Sequence, residues 1–285
     1  MENKLLIIDG HNLLFRMFFG MPFPLHNNSG IEITATVGVV GAIFKMFKQI
    51  KPTHFIIIFD GENALTRKEL DETYKANRII DYGQLPDENN PFVQLPIIKI
   101  VLDYLQLPYI ETEMCETDDY IAQIVYKKFG ENYIVSNDTD FLQLIDSSTF
   151  IYKYNGDKSY IINEDFILKK YGILPCKFVL YKSLIGDNSD NIKGIKGVGS
   201  KTAVKLINHC RDIYSPEIDV DYLGIKLVQT IQNNIDTIKH NINLINLIEN
   251  PDISIKNLNE MKIDYALYGS MKTMKIINEC NIENV

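Results

Sequence analysis

Tryptophan is absent from the 285 residues, and cysteine is scarce: Cys115, Cys176, Cys210 and Cys280 lie far apart, with no C-x-x-C pair and no paired-histidine motif. That spacing argues against a zinc site and against a disulfide framework. No run of about 18 uncharged apolar residues occurs, the length a membrane helix requires. The opening MENKLLIIDGHN passes into a strand-like segment instead of a basic stretch followed by an apolar one. A soluble, cytoplasmic protein is expected, with no membrane association. Internal repeats and low-complexity tracts are missing too. Positive charge is in deficit, with 29 Lys and Arg against 37 Asp and Glu, a formal −8.

A deficit of that kind ordinarily speaks against a polyanionic partner, but the objection turns on where the acids lie. If nine of them hold metal, the rest of the chain carries −8 + 9 = +1, and two divalent ions bring the whole to −4. Net charge therefore decides little. The 46% hydrophobic content suffices for a substantial core, arranged as one large domain with a smaller lobe.

The runs Leu5 to Asp9 (LLIID) and Phe55 to Asp60 (FIIIFD) are short, apolar and end in an acid followed by glycine, as buried parallel strands do. Between them, Val37, Val40, Ile43, Phe44 and Phe47 recur at helical spacing within Thr34 to Lys51. A helix over Phe92 to Leu105, a strand at Tyr109 to Glu111, a helix from Thr117 to Phe129 and a strand at Asn132 to Ser136 continue the alternation. The fold class is α/β, a central, mostly parallel sheet with helices on both faces. From Glu164 the texture becomes helical, over Glu164 to Tyr171, Cys176 to Ile185, Lys201 to Cys210 and a pair between Leu223 and Ile248. The expected division is 1–163 for the sheet domain and 164–285 for a helical lobe. The polar stretch Ile79 to Asn90 is a candidate mobile loop.

In such sheets ligands bind beyond the carboxyl ends of the strands, where Asp9, Asp60 and Asp138 converge. Glu116 and Asp119 share a helical face with Asp118 between them, Asp138 and Asp140 are two apart, and Asp187 and Asp190 lie in GDNSDN. Any one of these acids alone reads as a helix cap or turn residue. Four segments delivering acids to one sheet edge are harder to explain without cations, because the carboxylates would repel one another. Mg²⁺ or Mn²⁺ is the expected cofactor, as two ions placed to activate a water and stabilise a leaving oxygen.

Two basic elements accompany the acids. In GIKGVGSKTA, Gly194 to Ala203, glycines precede a helix, and Lys193, Lys196, Lys201 and Lys205 surround them. Backbone N–H groups at Gly197 and Gly199, with the helix N-terminus, suit a phosphate. The alternative is an ordinary turn between helices. The segment Thr66 to Arg78, taken as helical, brings Arg67, Lys75 and Arg78 near one face with Tyr74 beside them, and follows an acid-bearing strand as a lid would. The alternative there is a solvated amphipathic helix.

With IIDGHNLLFR, KPTHFIIIFD, TRKELDETYKANR, ETDDYIA, SNDTDF and LIGDNSDNIKGIKGVGSKTA in this order, the chain resembles the 5′-nuclease domain of bacterial DNA polymerase I and its stand-alone relatives, phage flap endonucleases included. The resemblance spans nearly the whole chain. It implies that Asp9, Asp60, Glu116, Asp118, Asp119, Asp138, Asp140, Asp187 and Asp190 hold metal. Lys75 and Arg78 are implied as arch residues at the scissile phosphate, Tyr74 as a gateway aromatic, and Arg16 and Arg67 as DNA contacts. The arch is expected over about 63–105. The glycine hairpin, about 183–210, matches a helix-hairpin-helix of the helix-three-turn-helix kind that grips duplex DNA and can hold K⁺. The loop around Ile79 to Gln84 departs from the polymerase pattern in length and composition.

The implied activity is structure-specific 5′-to-3′ exonuclease and flap endonuclease hydrolysis of DNA, for primer removal and flap trimming in replication and repair. The implied substrates are DNA with 5′ flaps, nicks or 5′ ends, and RNA/DNA primer junctions. A monomer with a functional link to a DNA polymerase is expected. A single-strand RNase of the PIN type would share the acidic edge without needing the hairpin, and a non-catalytic DNA-binding module would need the hairpin without nine acids.

Overall fold

The apolar runs that end in acids form the centre of a six-stranded sheet in the computed structural model, which describes residues 3–61, 66–77, 84–113, 115–209, 223–247, 250, 253–267, 273 and 275. The strands are β1 (Lys4–Asp9), β2 (His54–Phe59), β3 (Tyr109–Glu111), β4 (Glu131–Val135), β5 (Thr149–Lys153) and β6 (Tyr160–Ile162), in the order β3-β2-β1-β4-β5-β6. All pairings are parallel except β5 with β6. Strands β5 and β6 were not anticipated from the sequence.

Side-chain alternation along the central strands builds two cores. Leu6, Ile8, Phe55, Ile57 and Phe59 face a layer of α1 (Gly10–Gly20), α2 (Thr34–Ile50) and, beyond the short α3 (Thr66–Leu70), α4 (Leu95–Tyr104). Leu5, Ile7, Ile56, Ile58 and Ile134 face α5 (Thr117–Tyr126) and the helices of the C-terminal half. Burying each such side chain contributes about 1.5–3 kcal/mol. The sheet is thus covered on both sides, and its open region is the end where β1, β2 and β4 stop.

The C-terminal half runs through α6 (Glu164–Tyr171), α7 (Phe178–Ile185), the two-stranded β7 (Gly186–Asp187) and β8 (Ile192–Lys193), α8 (Ser200–His209), α9 (Ile225–Gln232) and α10 (Ile235–Ile245). The β7–β8 turn needs its glycines. Gly186 has φ +82, and a Cβ there would lie 2.3 Å from the Gly194 nitrogen.

Three points differ from the sequence reading. Helix α1 was not foreseen; the Asp9 carboxylate caps it by accepting the Asn12 N–H at 3.1 Å. The basic segment is helical only from Thr66 to Leu70 and then turns. Asp71 accepts from both the N–H (2.8 Å) and the hydroxyl (2.7 Å) of Thr73, a local bond that competes with helix propagation. Lys75 has φ 55, so Arg67 and Lys75 share no helical face. Lastly, the expected helix from Phe92 divides into a 3₁₀ turn (Pro91–Gln94) and α4, whose Ile97, Ile98, Val101 and Leu102 are wholly buried. Helix α4 therefore belongs to the layer flanking the sheet and not to an arch reaching residue 105. Arg78 and residues 79–83 of the expected loop lie outside the described residues.

Candidate metal centre

The ends of β1, β2 and β4 and the start of α5 open into a cavity of about 850 Å³ lined by Asp9, Asp60, Glu116, Asp118 and Asp138, together with His11, Asn12, Phe15, Arg16, Lys68 and Lys75. Asp9 is 7% exposed and accepts the Ser136 hydroxyl at 2.8 Å. Burial, with Asp60 and Asp138 nearby, outweighs its hydrogen bonds and pushes its carboxyl up to about 6. Asp60 is 43% exposed, and His11 Nδ1 at 3.2 Å and the Thr117 N–H at 2.9 Å outweigh its partial desolvation and hold it at about 2. Asp118 is pushed well above the usual carboxylate range by burial and by the charge of Asp138.

A second group lies deeper toward the C-terminal half. Asp140, Asp187 and Asp190 each place an oxygen within 4.8 Å of the others. Lys182, 5% exposed on α7, binds both Asp140 and Asp187. Burial alone would lower the lysine's proton affinity, yet these two carboxylates raise it. Asp140 is pushed up to about 6, burial outweighing the attraction of Lys182. Sequence reasoning did not single out Lys182; its one local signal is a lysine inside the apolar helix FVLYKSLI. His11 and Lys68 were likewise not assigned a role.

The donors suit a hard divalent cation. They are oxygens throughout, they come in two clusters, and burial has raised Asp9, Asp118 and Asp140 toward protonation, a penalty that a cation among them removes.

The basic residues are placed less uniformly than expected. Arg67 is 7% exposed and spans Glu116 (2.9 Å) and Asp119 (2.9 and 2.6 Å). Burial opposes its charge and Asp119 and Glu116 more than restore it, so Arg67 is an internal strut here and not the expected DNA contact. Both oxygens of Asp119 are engaged by it. Tyr74 is also corrected: its ring, 3% exposed, packs with Ile192, Leu244 and Ile245, where an apolar ring gains more than it would in water at a gateway. Lys75 Nζ lies 2.8 Å from Glu116 Oε2 at the cavity wall. Arg16 reaches Asn137 and Asn155, each at 3.3 Å.

The hairpin follows Asp190 directly in sequence, yet it faces outward. Lys193, Lys196, Gly197, Gly199, Lys201 and Lys205 are all exposed, while Ile195 and Val198 anchor the turn in the core. Gly197 has φ +88, open to glycine without strain.

Residues 4–172 match the 5′-3′ exonuclease N-terminal resolvase-like domain, and residues 173–267 match the 5′-3′ exonuclease C-terminal SAM fold. The chain belongs to the 5′-3′ exonuclease family. The two family domains meet just after α6, whereas 163/164 was the expected division. DNA polymerase I of Caldicellulosiruptor bescii is 36% identical over 211 residues, which is 72% of this chain and 24% of that protein. A 5′-3′ exonuclease of Aquifex aeolicus is 31% identical over 207 residues, 71% of this chain and 68% of that protein. The chain spans about a quarter of the length of the DNA polymerase I relatives it matches. The bacteriophage T5 D15 flap endonuclease, solved with DNA and metal ions, shares the fold at a TM-score of 0.66 and 22% identity, over 86% of this chain and 89% of that one. No described helix is long and apolar enough to cross a membrane.

Proposed function

We propose that this member of the 5′-3′ exonuclease family is a structure-specific 5′-to-3′ exonuclease and flap endonuclease that hydrolyses DNA phosphodiesters with two divalent cations, Mg²⁺ or Mn²⁺. The observation that carries the reading is the gathering of carboxylates from four chain segments at the carboxyl edge of a parallel sheet, in a cavity also lined by Arg16, Lys68 and Lys75. When bound, such cations supply Lewis acidity to the phosphodiester and its attacking water.

The chain's own residues have distinct parts in this reading. Asp9, Asp60, Glu116, Asp118 and Asp138 hold the proximal cation, and Asp140, Asp187 and Asp190 the distal one. Asp119 fixes Arg67 against Glu116. Lys75 neutralises Glu116 in the free protein and turns to the phosphate when substrate arrives. Arg78 is assigned to the same phosphate on the strength of the family motif. Lys193, Lys196, Lys201 and Lys205, with the backbone at Gly197 and Gly199, grip duplex phosphates without reading sequence, and the hairpin is the place for K⁺. Primer removal and flap trimming in the cytoplasm, by a monomer working alongside a DNA polymerase, fit these substrates.

The test compares a labelled 5′ flap, a nicked duplex, an RNA/DNA primer junction and single-stranded RNA, with Mg²⁺, with Mn²⁺ and with EDTA. Metal-dependent cleavage of the flap and nick, little of the single-stranded RNA and none in EDTA is expected. Preferential cleavage of single-stranded RNA would refute it.

A further inference from the structure

The segment carrying Lys75 is not held by its own helix, since α3 stops at Leu70 and the lysine sits at φ 55. It is held by the loop of the distal carboxylates. The Lys75 N–H donates to the Asp190 carbonyl (3.0 Å), the Asn77 amide donates to the Asn188 carbonyl (2.7 Å), and the Asn191 amide donates to the Thr73 carbonyl (2.8 Å). Tyr74 lies between these bonds with its ring packed on Ile192, the residue after Asn191.

We infer that Asn191 is a positioning residue for Lys75, tying the Thr73 carbonyl so that the distal loop sets where the lysine stands over the proximal carboxylates. The inference rests on the catalytic part proposed for Lys75. Asparagine fits the position on two counts. Asn191 has φ 59, in the left-handed region that asparagine tolerates better than most residues. Its side-chain N–H also meets a carbonyl from a segment 118 positions away. Aspartate tolerates the same backbone but offers no N–H and sets a negative charge against the Thr73 oxygen. Glycine keeps the backbone and deletes the amide. The two substitutions thus separate the hydrogen bond from the conformation.

Misplacing a reacting group by about 1 Å can cost on the order of 100-fold in rate. Asn191→Gly should therefore slow single-turnover flap cleavage by about 10- to 100-fold and Asn191→Asp at least as much, with flap binding in Ca²⁺ within about twofold of wild type. In a Lys75→Ala background, Asn191→Gly should cost no more than a further twofold, because two residues that act as one unit are not additive. In the metal-free protein, amide exchange of residues 74–76 should accelerate in Asn191→Gly, a readout independent of turnover. A rate within twofold of wild type, unaltered exchange, or an equal fold-loss with and without Lys75 would overturn the inference; the last would show Asn191 acting through the distal carboxylates. Should Lys75→Ala itself leave the rate unchanged, the catalytic part of Lys75 falls and the inference with it, while metal-dependent flap cleavage by wild type still stands.

Discussion

Replacing Lys182 with methionine keeps the volume of the side chain and removes the one cation that, among the described residues, binds both Asp140 and Asp187. All three side chains are largely enclosed, at 6%, 9% and 12% exposure. Breaking a buried ion pair by removing one partner costs about 3–5 kcal/mol, since the other charge is left without compensation. Asp140 can limit that loss by taking a proton, whose cost relative to its ordinary value of 3.8 is about 1.36 × (7 − 3.8) ≈ 4.4 kcal/mol at pH 7 and about 1.6 kcal/mol at pH 5. The variant therefore recovers up to about 2.7 kcal/mol between pH 7 and pH 5. Wild type, whose Asp140 is already raised to about 6, recovers less over the same interval. The sign follows from a folded-state value above the unfolded one: protonation is favoured by folding, and the benefit is lost as pH rises through about 6. Urea unfolding of the metal-free protein in EDTA should show Lys182→Met less stable by about 3–5 kcal/mol at pH 7, and by a smaller margin at pH 5. Millimolar Mg²⁺ should stabilise the variant more than wild type. A loss under about 1 kcal/mol at pH 7, or one that grows on acidification, would refute the reasoning.

Asp118→Asn should abolish Mg²⁺-dependent cleavage and leave flap binding in Ca²⁺ measurable; activity above about 10% of wild type would remove Asp118 from the cation site. Lys196→Ala with Lys201→Ala should weaken flap and plain duplex alike and reduce the slope of log K against log salt by about 0.9 per lost phosphate contact, a change that filter binding across a salt series reads directly. Gly10→Ala should destabilise the fold by roughly 1–3 kcal/mol in urea melts, because the added Cβ would lie 2.4 Å from the Phe59 ring and 2.6 Å from the Ile58 carbonyl; near-wild-type stability would mean that β1 and β2 separate more easily than their packing implies.

The sequence by itself determined the α/β class, the two acid-ended central strands and the helix over Thr34–Ile50, because apolar periodicity and strand-terminal acids are local signals. It likewise made the acids and the glycine hairpin legible as candidate residues, but not that Asp119 pairs with Arg67 instead of lining the cavity. It did not determine how those acids divide into a proximal group and a distal one, or that Arg67 and Lys182 lie buried among them. Nor did it show that the Asp71 turn ends α3 before Lys75, since the basic segment has helical composition throughout and the bonds that divert it run to Thr73, to His240 and to the 188–191 loop. Tyr74 looked like a gateway aromatic and is a core residue, because Ile192, Leu244 and Ile245 reach it from 118 to 171 positions away. Which charge neutralises which, and which ring is buried, are set by approaches between distant segments. Local sequence carries no energy term for such approaches, so only the tertiary structure decided them.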